Sequence, residues 1–337
     1  LGWLRALTDA RGLLGHAHHG VPRLGEGYTT DDNARALLYL SLLPEGARDE
    51  GLVRTYLAFL LHMQKEDGRV RNGLTLDGRV EDEGEAEDPT GRAVLALAAA
   101  QRLPPPYAGP AREALLRALP ALEGFTSLRG RAYALLGLLA LPKEPFLEAA
   151  EALGEGLLRA FREAEPAWPY PGPLTYANHR PVEALYAYGL AFRRQEAVAL
   201  ARRALAFLKE HYFTPGEEGL FFDPVGNRFM ARGRDKPLFD QQPIEAKCAL
   251  LAHLRFGERV LAEVAFLWFH GRNRLRAPLV DAFGPMDGLT PHGPNQNRGA
   301  EALLAYLLAW QALVQGVFPQ VDEGVALGRV FALGGRP

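Results

Sequence analysis

The chain has 337 residues, 48% of them hydrophobic and 23% charged, a balance that excludes disorder and predicts a large buried core. Its 38 basic and 40 acidic residues leave a net charge of -2, which provides no field for a polyanion or an anionic membrane and so excludes nucleic acid as a partner. Cys248 is alone, so no intrachain disulfide can form, and the longest apolar run, Ala132 to Leu141, is too short to span a bilayer.

No secretory signal is legible near the start, where Asp9 and Arg11 interrupt any apolar run, and a cytoplasmic protein is expected. Five of the 38 basic residues are Lys, an Arg bias that fits a high-GC or thermophilic source.

In chain order, Gly2 to Leu7 reads as a short outer helix. A polar cluster then opens an apolar stretch, GYTTDDNARALL (27–38), and Leu52, Tyr56, Leu57, Leu60 and Met63 form a one-sided stripe on the next helix. The same alternation follows with EDPTGRAVLAL (87–97) and a helix near 110–122, then SLRGRAYALLGL (127–138) and 145–163. LTYANHRPVEALYAYG (174–189) precedes 194–211, and GLFFDPVGNRFM (219–230) reads as a β-hairpin turning near Pro224 to Asn227. DQQPIEAKCALLAHL (240–254), a helix over 257–270 and NQNRGAEALLAYLLAW (295–310) complete the series.

Each cluster supplies Asp, Asn, Thr or Ser able to cap a helix start, and Asp88-Pro89 reads as a cap followed by proline at the first helical position. The stretches behind the clusters are apolar all round and must be buried, whereas the intervening helices bury one face. This repeat predicts an all-α fold, an (α/α)6 barrel, as a single domain over 1–337, with inner helices starting near 31, 88, 128, 179, 241 and 297. The long loops preceding the inner helices are expected to gather on one face.

Registering the six starts places Arg35, Arg92, Arg131, Glu183, Glu245 and Glu301 at one equivalent position, a predicted ring of buried, paired charges. One turn above, at the mouth, come Asp31, Asp32, Asp88, His179, Asp240, Gln241, Gln242, Asn295 and Asn297. Capping does not require both Asp31 and Asp32, or two Gln beside Asp240. Carboxylates and amides bind hydroxyls and aromatic faces cover sugar C–H groups. The mouth polar groups, with Tyr28, Trp168, Tyr170, Tyr176, Phe239 and Phe283 in adjoining loops, are therefore read as a sugar site, with Arg35, Arg92 and Glu301 as its floor.

His16, His18 and His19 lack a defined fourth ligand, so no metal is expected. The acidic run 81–88 reads as a solvated loop without calcium-loop spacing. No phosphate-binding loop, dinucleotide fingerprint, nucleophile elbow or zinc-protease motif occurs, so no cofactor is expected.

GYTTDDNARALL (27–38), EDPTGRA (87–93), LTYANHRPVEAL (174–185), DQQPIEA (240–246), FHGRNRL (269–275) and DGLTPHGPNQNRGAE (287–301) together resemble a bacterial and archaeal family of six-hairpin glycosidase-like proteins, over nearly the full length. The resemblance implies an (α/α)6 toroid and mannoside metabolism, in association with a mannosyltransferase or a β-mannoside phosphorylase. It brings no assigned catalytic residues. Pro89-Thr90 stands where a Ser-His pair is common, and His179 interrupts a more usual Asn-Ala-Arg.

The leading functional expectation is a glycoside hydrolase acting on a mannose-containing oligosaccharide, with Asp32 and Asp240 as the carboxyl pair and Asp31, Asp88 and Glu245 behind them. A sugar epimerase or isomerase is the alternative, and it needs His179 and His292, with His19 as a third candidate, to face the pit. A non-catalytic glycan-binding module is the third.

Overall fold

The computed structural model describes residues 1–81, 87–141 and 143–318. Inner helices α2 (Thr30–Leu42), α4 (Glu87–Ala99), α6 (Leu128–Leu138), α8 (His179–Ala191), α10 (Pro243–Arg255) and α12 (Ala300–Gln315) alternate with outer helices α1 (Gly2–Leu7), α3 (Glu50–Met63), α5 (Pro105–Leu122), α7 (Phe146–Arg162), α9 (Gln195–Tyr212) and α11 (Arg259–Leu267). Each inner helix packs on the next, and α12 returns to α2, so the ring is closed. Gln311 seals the closure by donating to the Tyr39 carbonyl at 3.1 Å.

Sequence explains the two layers. In α6, Ala132 to Leu139 are all buried, because neighbours stand on every side. In α7 the buried set is Phe146, Leu147, Ala150, Leu153, Gly154, Leu157, Leu158 and Phe161, the three-and-four spacing of a helix lying on a core. One hydrophobic cluster runs from Leu4 to Leu313.

Local chemistry fixes several starts. Thr29 caps α2 by accepting from the Asp32 amide at 3.2 Å, and Ser127 caps α6 by accepting from Gly130 at 3.1 Å. Asp88 does not act as a cap: α4 begins at Glu87, and the Asp88 carboxylate reaches sideways to the next hairpin. The last two inner helices begin later than their polar clusters. Gln241 is held extended by a two-way backbone bridge to Leu289, and the Asn295 side chain accepts from the Asn297 amide in a turn before α12.

α4 and α6 meet backbone to backbone. A Cβ at Gly91 would lie 2.4 Å from the Gly130 carbonyl oxygen, and one at Gly137 would lie 2.8 Å from Leu95 Cα. Only glycine permits that approach.

The β-structure consists of small antiparallel sheets in the loops, more of it than the single hairpin expected. The hairpin itself is Phe213–Gly216 paired with Gly219–Phe222, turning at Glu217-Glu218 rather than near Pro224 to Asn227. Phe213 opposes Phe222, both buried, and Gly219 takes the positive φ that the turn needs, so the strands are pinned eight residues upstream of the expected turn centre.

Loops from neighbouring hairpins are stitched together. Tyr28–Thr29 pairs with Gly73–Leu74, Leu174 with Met230, and the Ala300 amide donates to the Gly15 carbonyl. Among the described residues no helix is long and apolar enough to cross a membrane. Residues 82–86, most of the acidic run, lie outside the described residues.

Candidate functional site

The first turns of α2, α10 and α12 surround a pit of about 310 Å³, lined by Gly15, His16, Thr29, Asp31, Asp32, Arg35, Pro243, Asp287, Gly299, Glu301 and Ala302. Four carboxyl groups therefore face one cavity: Asp31, Asp32, Asp287 and Glu301.

Arg35 organises one wall. It donates to Asp32 at 2.8 Å and to Glu301 at 3.2 Å, joining α2 to α12. The other Asp32 oxygen accepts from the Thr29 hydroxyl at 2.9 Å. Burial pushes the Asp32 carboxyl up, with the charges of Glu301 and Asp31 adding, while Arg35 opposes. Both its oxygens nevertheless accept hydrogen bonds from charged or hydroxyl donors, the pattern of an ionised group. Asp31 pairs with Arg92 at 2.6 Å, joining α2 to α4.

Asp287 forms the opposite wall. One oxygen accepts from the Gly299 amide at 2.5 Å, and no hydrogen bond is described at the other. Burial pushes this carboxyl up, with Glu301 adding, and the Gly299 bond and His16 oppose. Asn295 and Asn297 stand behind it: the Asp287 amide donates to the Asn297 carbonyl at 2.8 Å, and Asn297 Oδ1 accepts from the His19 amide at 3.0 Å.

Asp88 lies in a second cluster on the same rim. It accepts from Ser127, from Arg129 at 3.0 Å and from Tyr176 at 2.6 Å, and the Arg129 guanidinium lies 4.2 Å from the Tyr176 ring centroid. Although burial pushes it up, the bonds from Ser127 and Tyr176 and the Arg129 charge hold Asp88 below its ordinary value.

Other expected site residues go elsewhere. The Asp240 carboxylate accepts from Asn227 at 3.4 Å and is not among the residues lining the pit. Gln241 is wholly buried, donating to Asp223 at 2.8 Å and accepting from Trp268 at 2.9 Å; Gln242 sits at the start of α10. Tyr28 is buried and donates to Asp9 at 2.5 Å. Trp168 and Tyr170 line a separate groove of about 640 Å³ with Pro171, Pro173 and Arg232. Phe283 is exposed beside Trp3 in a third pocket, and Phe239 is half-buried. Of these aromatics only Tyr176 touches a rim carboxylate, Asp88.

His179 is wholly buried against Tyr212 and His253, and neither ring nitrogen has a partner among the described residues. His292 is exposed in a loop, as is His19, and the histidine that lines the pit is His16. Among the described residues no three His, Cys, Asp or Glu gather in a metal-holding group.

The charge ring is broken in two places. Arg131 turns outward, donating to the Phe125 carbonyl at 2.8 Å and lining a cavity between α5 and α7. Its place beside α4 is filled by Arg129, two residues earlier. Glu245 turns sideways, accepting from the Ala177 amide at 2.5 Å, while its second oxygen has no partner among the described residues. Burial raises Glu245 to about 7. Glu183 is buried and paired, but with Arg180 at 2.7 Å and Arg255 at 3.0 Å rather than with an arginine of the ring.

Sequence reading missed Asp287, Arg129, Arg180 and Lys247. Asp287 opens the DGLTPHGPNQNRGAE segment, so a signal was present; Lys247 is a lone lysine in an apolar helix, which was one as well.

No family model matches the sequence, and no curated protein is significantly similar to it. Solved structures share its fold. Cellobiose 2-epimerase from Bacillus thermoamylovorans aligns with a TM-score of 0.68 at 10% identity, covering 92% of this chain and 95% of that one. A D-mannose isomerase aligns at 0.66 and 11% identity, over 93% and 94%. A glycoside hydrolase family 76 mannosidase from Bacteroides thetaiotaomicron aligns at 0.59 and 10%, over 93% and 97%. The chain thus has the six-hairpin glycosidase-like (α/α)6 fold.

Proposed function

We propose that the chain is a carbohydrate-active enzyme that hydrolyses a glycosidic bond in a mannose-containing oligosaccharide, bound in the pit between α2, α10 and α12. The observation that carries this reading is the gathering of Asp31, Asp32, Asp287 and Glu301 around one cavity at the helix starts. The mannosidase, mannose isomerase and epimerase that share the fold support a sugar as ligand.

Hydrolysis needs one protonated carboxyl to assist the leaving oxygen and one ionised carboxylate to attack the sugar or activate water. Asp287 takes the first role, since burial raises it and its second oxygen is available to hold a proton. Asp32 takes the second, held by Arg35 and Thr29. This pairing replaces Asp240 by Asp287 because Asp287 lines the same pit as Asp32. A mannosyltransferase or mannoside phosphorylase remains the partner that the sequence resemblance implies.

The test is a panel of mannosides with product detection. Asp32→Asn and Asp287→Asn should each lower turnover by at least about 10²-fold while Asp240→Asn changes it little. Loss in Asp240→Asn with normal turnover in Asp287→Asn restores the Asp32–Asp240 pair. Epimerisation is the second reading, favoured by His16 lining the same pit as Asp32 and Asp287. An epimeric sugar without cleavage, abolished in His16→Gln, would establish it.

A further inference from the structure

Beneath the pit, five successive inner helices each contribute one polar side chain to a buried cluster: Arg35 from α2, Arg92 from α4, Tyr133 from α6, Arg180 from α8 and Lys247 from α10, all 2–6% exposed. Arg92 donates to the Tyr133 hydroxyl at 3.1 Å, with its guanidinium carbon 4.5 Å from the ring centroid, and that of Arg180 lies 5.8 Å from the same centroid. Lys247 feels the charges of Arg180, Arg35 and Arg92, which come from three other helices of the ring. Lys247 also lies one turn after Pro243, which lines the pit, and helical side chains lean toward the N-terminus.

This cluster is rich in donors and short of acceptors. Asp31 is engaged by Arg92, Asp32 and Glu301 by Arg35, and Glu183 by Arg180 and Arg255, while Glu245 is turned onto the Ala177 amide and is raised to about 7 by burial. The Nε–H groups of Arg35, Arg92 and Arg180 have no partner among the described residues. Lys247 has neither a hydrogen bond nor an ion pair with any described residue. Burial lowers the Lys247 ammonium to about 7, with Arg180, Arg35 and Arg92 adding to it and the neighbouring Cys248 opposing, and the Lys247 charge is felt in turn by Glu245 on the same helix.

A neutral sugar hydroxyl would satisfy one donor but brings a proton of its own and no charge. An anionic oxygen group accepts from several donors at once and answers the excess of positive charge. We propose that the lumen beneath the pit holds an oxyanion, a phosphate or carboxylate group, with Lys247, Arg180 and Arg92 as its donors. The inference rests on the carbohydrate reading for the molecule that carries the group, so the substrate class becomes an acidic or phosphorylated sugar, or a sugar bound together with free phosphate. Binding the anion favours charged Lys247. Above pH 7 it therefore takes up a proton, and affinity falls as pH rises.

Calorimetric titration of the full chain with inorganic phosphate, mannose 6-phosphate, glucuronate and mannose tests this directly. At least one anion should bind more tightly than mannose, and Lys247→Met, close in volume, should weaken it about tenfold or more. Inorganic phosphate binding alone identifies free phosphate as the source, mannose 6-phosphate alone a sugar phosphate, and glucuronate alone a carboxylate. Repeating the titration at pH 8 in buffers of different ionisation enthalpy should show proton uptake by the parent protein, a readout that needs no variant. The proposal is overturned if none of the anions binds better than mannose, or if a folded Lys247→Met binds the anion as the parent does. Anion binding with no turnover of any glycan would leave this inference standing and remove the hydrolase; turnover of neutral mannosides without anion binding would do the reverse.

Discussion

On the α2–α12 side of the ring, charged side chains meet across an open cavity; on the α8–α10 side, residues from the same register positions are packed into the wall. Glu301, with its side chain 44% exposed, reaches Arg35 at the pit, whereas Glu183 is enclosed between Arg180 and Arg255 and Glu245 is turned onto the Ala177 amide. The difference teaches that equivalence along a repeat fixes depth but not direction. Which way a residue at that depth points depends on what the neighbouring loop offers it: Gly15 and Asp287 leave space before α12, while Ala177 and Tyr212 close it before α10.

The contrast is best broken by removing one carboxylate from each side. Glu183→Ala leaves Arg180 buried without its carboxylate and should cost about 3–5 kcal/mol in urea unfolding. A loss below about 1 kcal/mol would show that the wall pairs are not structural.

Proton linkage sharpens it next. Folding raises Glu245 from 4.5 to about 7, so the folded chain binds the proton more tightly and stability is lost as pH rises through that window, by roughly 3 kcal/mol. Folding lowers Lys247 from 10.5 to about 7, so stability is regained as pH rises from about 7 to about 10.5. Urea midpoints measured across pH in phosphate-free buffer should therefore dip near pH 7. Glu245→Gln should flatten the acid limb and Lys247→Met the alkaline one; unchanged limbs would place both groups in water.

The smallest effect is expected on the open side. Glu301→Ala removes a partner that water can replace, and Arg35 keeps Asp32, so the cost should stay near or below about 1 kcal/mol. A cost equal to that of Glu183→Ala would erase the distinction between the two sides.

The ring itself was readable because six polar starts followed by all-round apolar helices admit few other folds, and Asp31, Asp32, Arg35 and Glu301 were found as neighbours of one pit because they sit in the first turns of adjacent helices. What misled was treating six registers as equivalent. Arg131 and Arg129 are two residues apart on α6, and only packing decides which points to Asp88. Trp168 and Tyr170 looked like sugar platforms by type, yet Trp168 packs edge-to-face with Phe207 and Tyr170 with Phe161, contacts made by outer helices that no local pattern specifies. Asp287 escaped because its partner, the Gly299 amide, is brought near by a hairpin built from Gly288–Thr290 and Gly293–Asn295.

Where Gly91 faces Gly130 and Gly137 faces Leu95, no side chain stands between α4 and α6. This joint lies across the ring from α10 and α12, which flank the pit. A methyl group at position 137 would press on the Leu95 backbone and wedge this joint apart, so Gly137→Ala should be felt as lost stability although the residue lines no part of the pit.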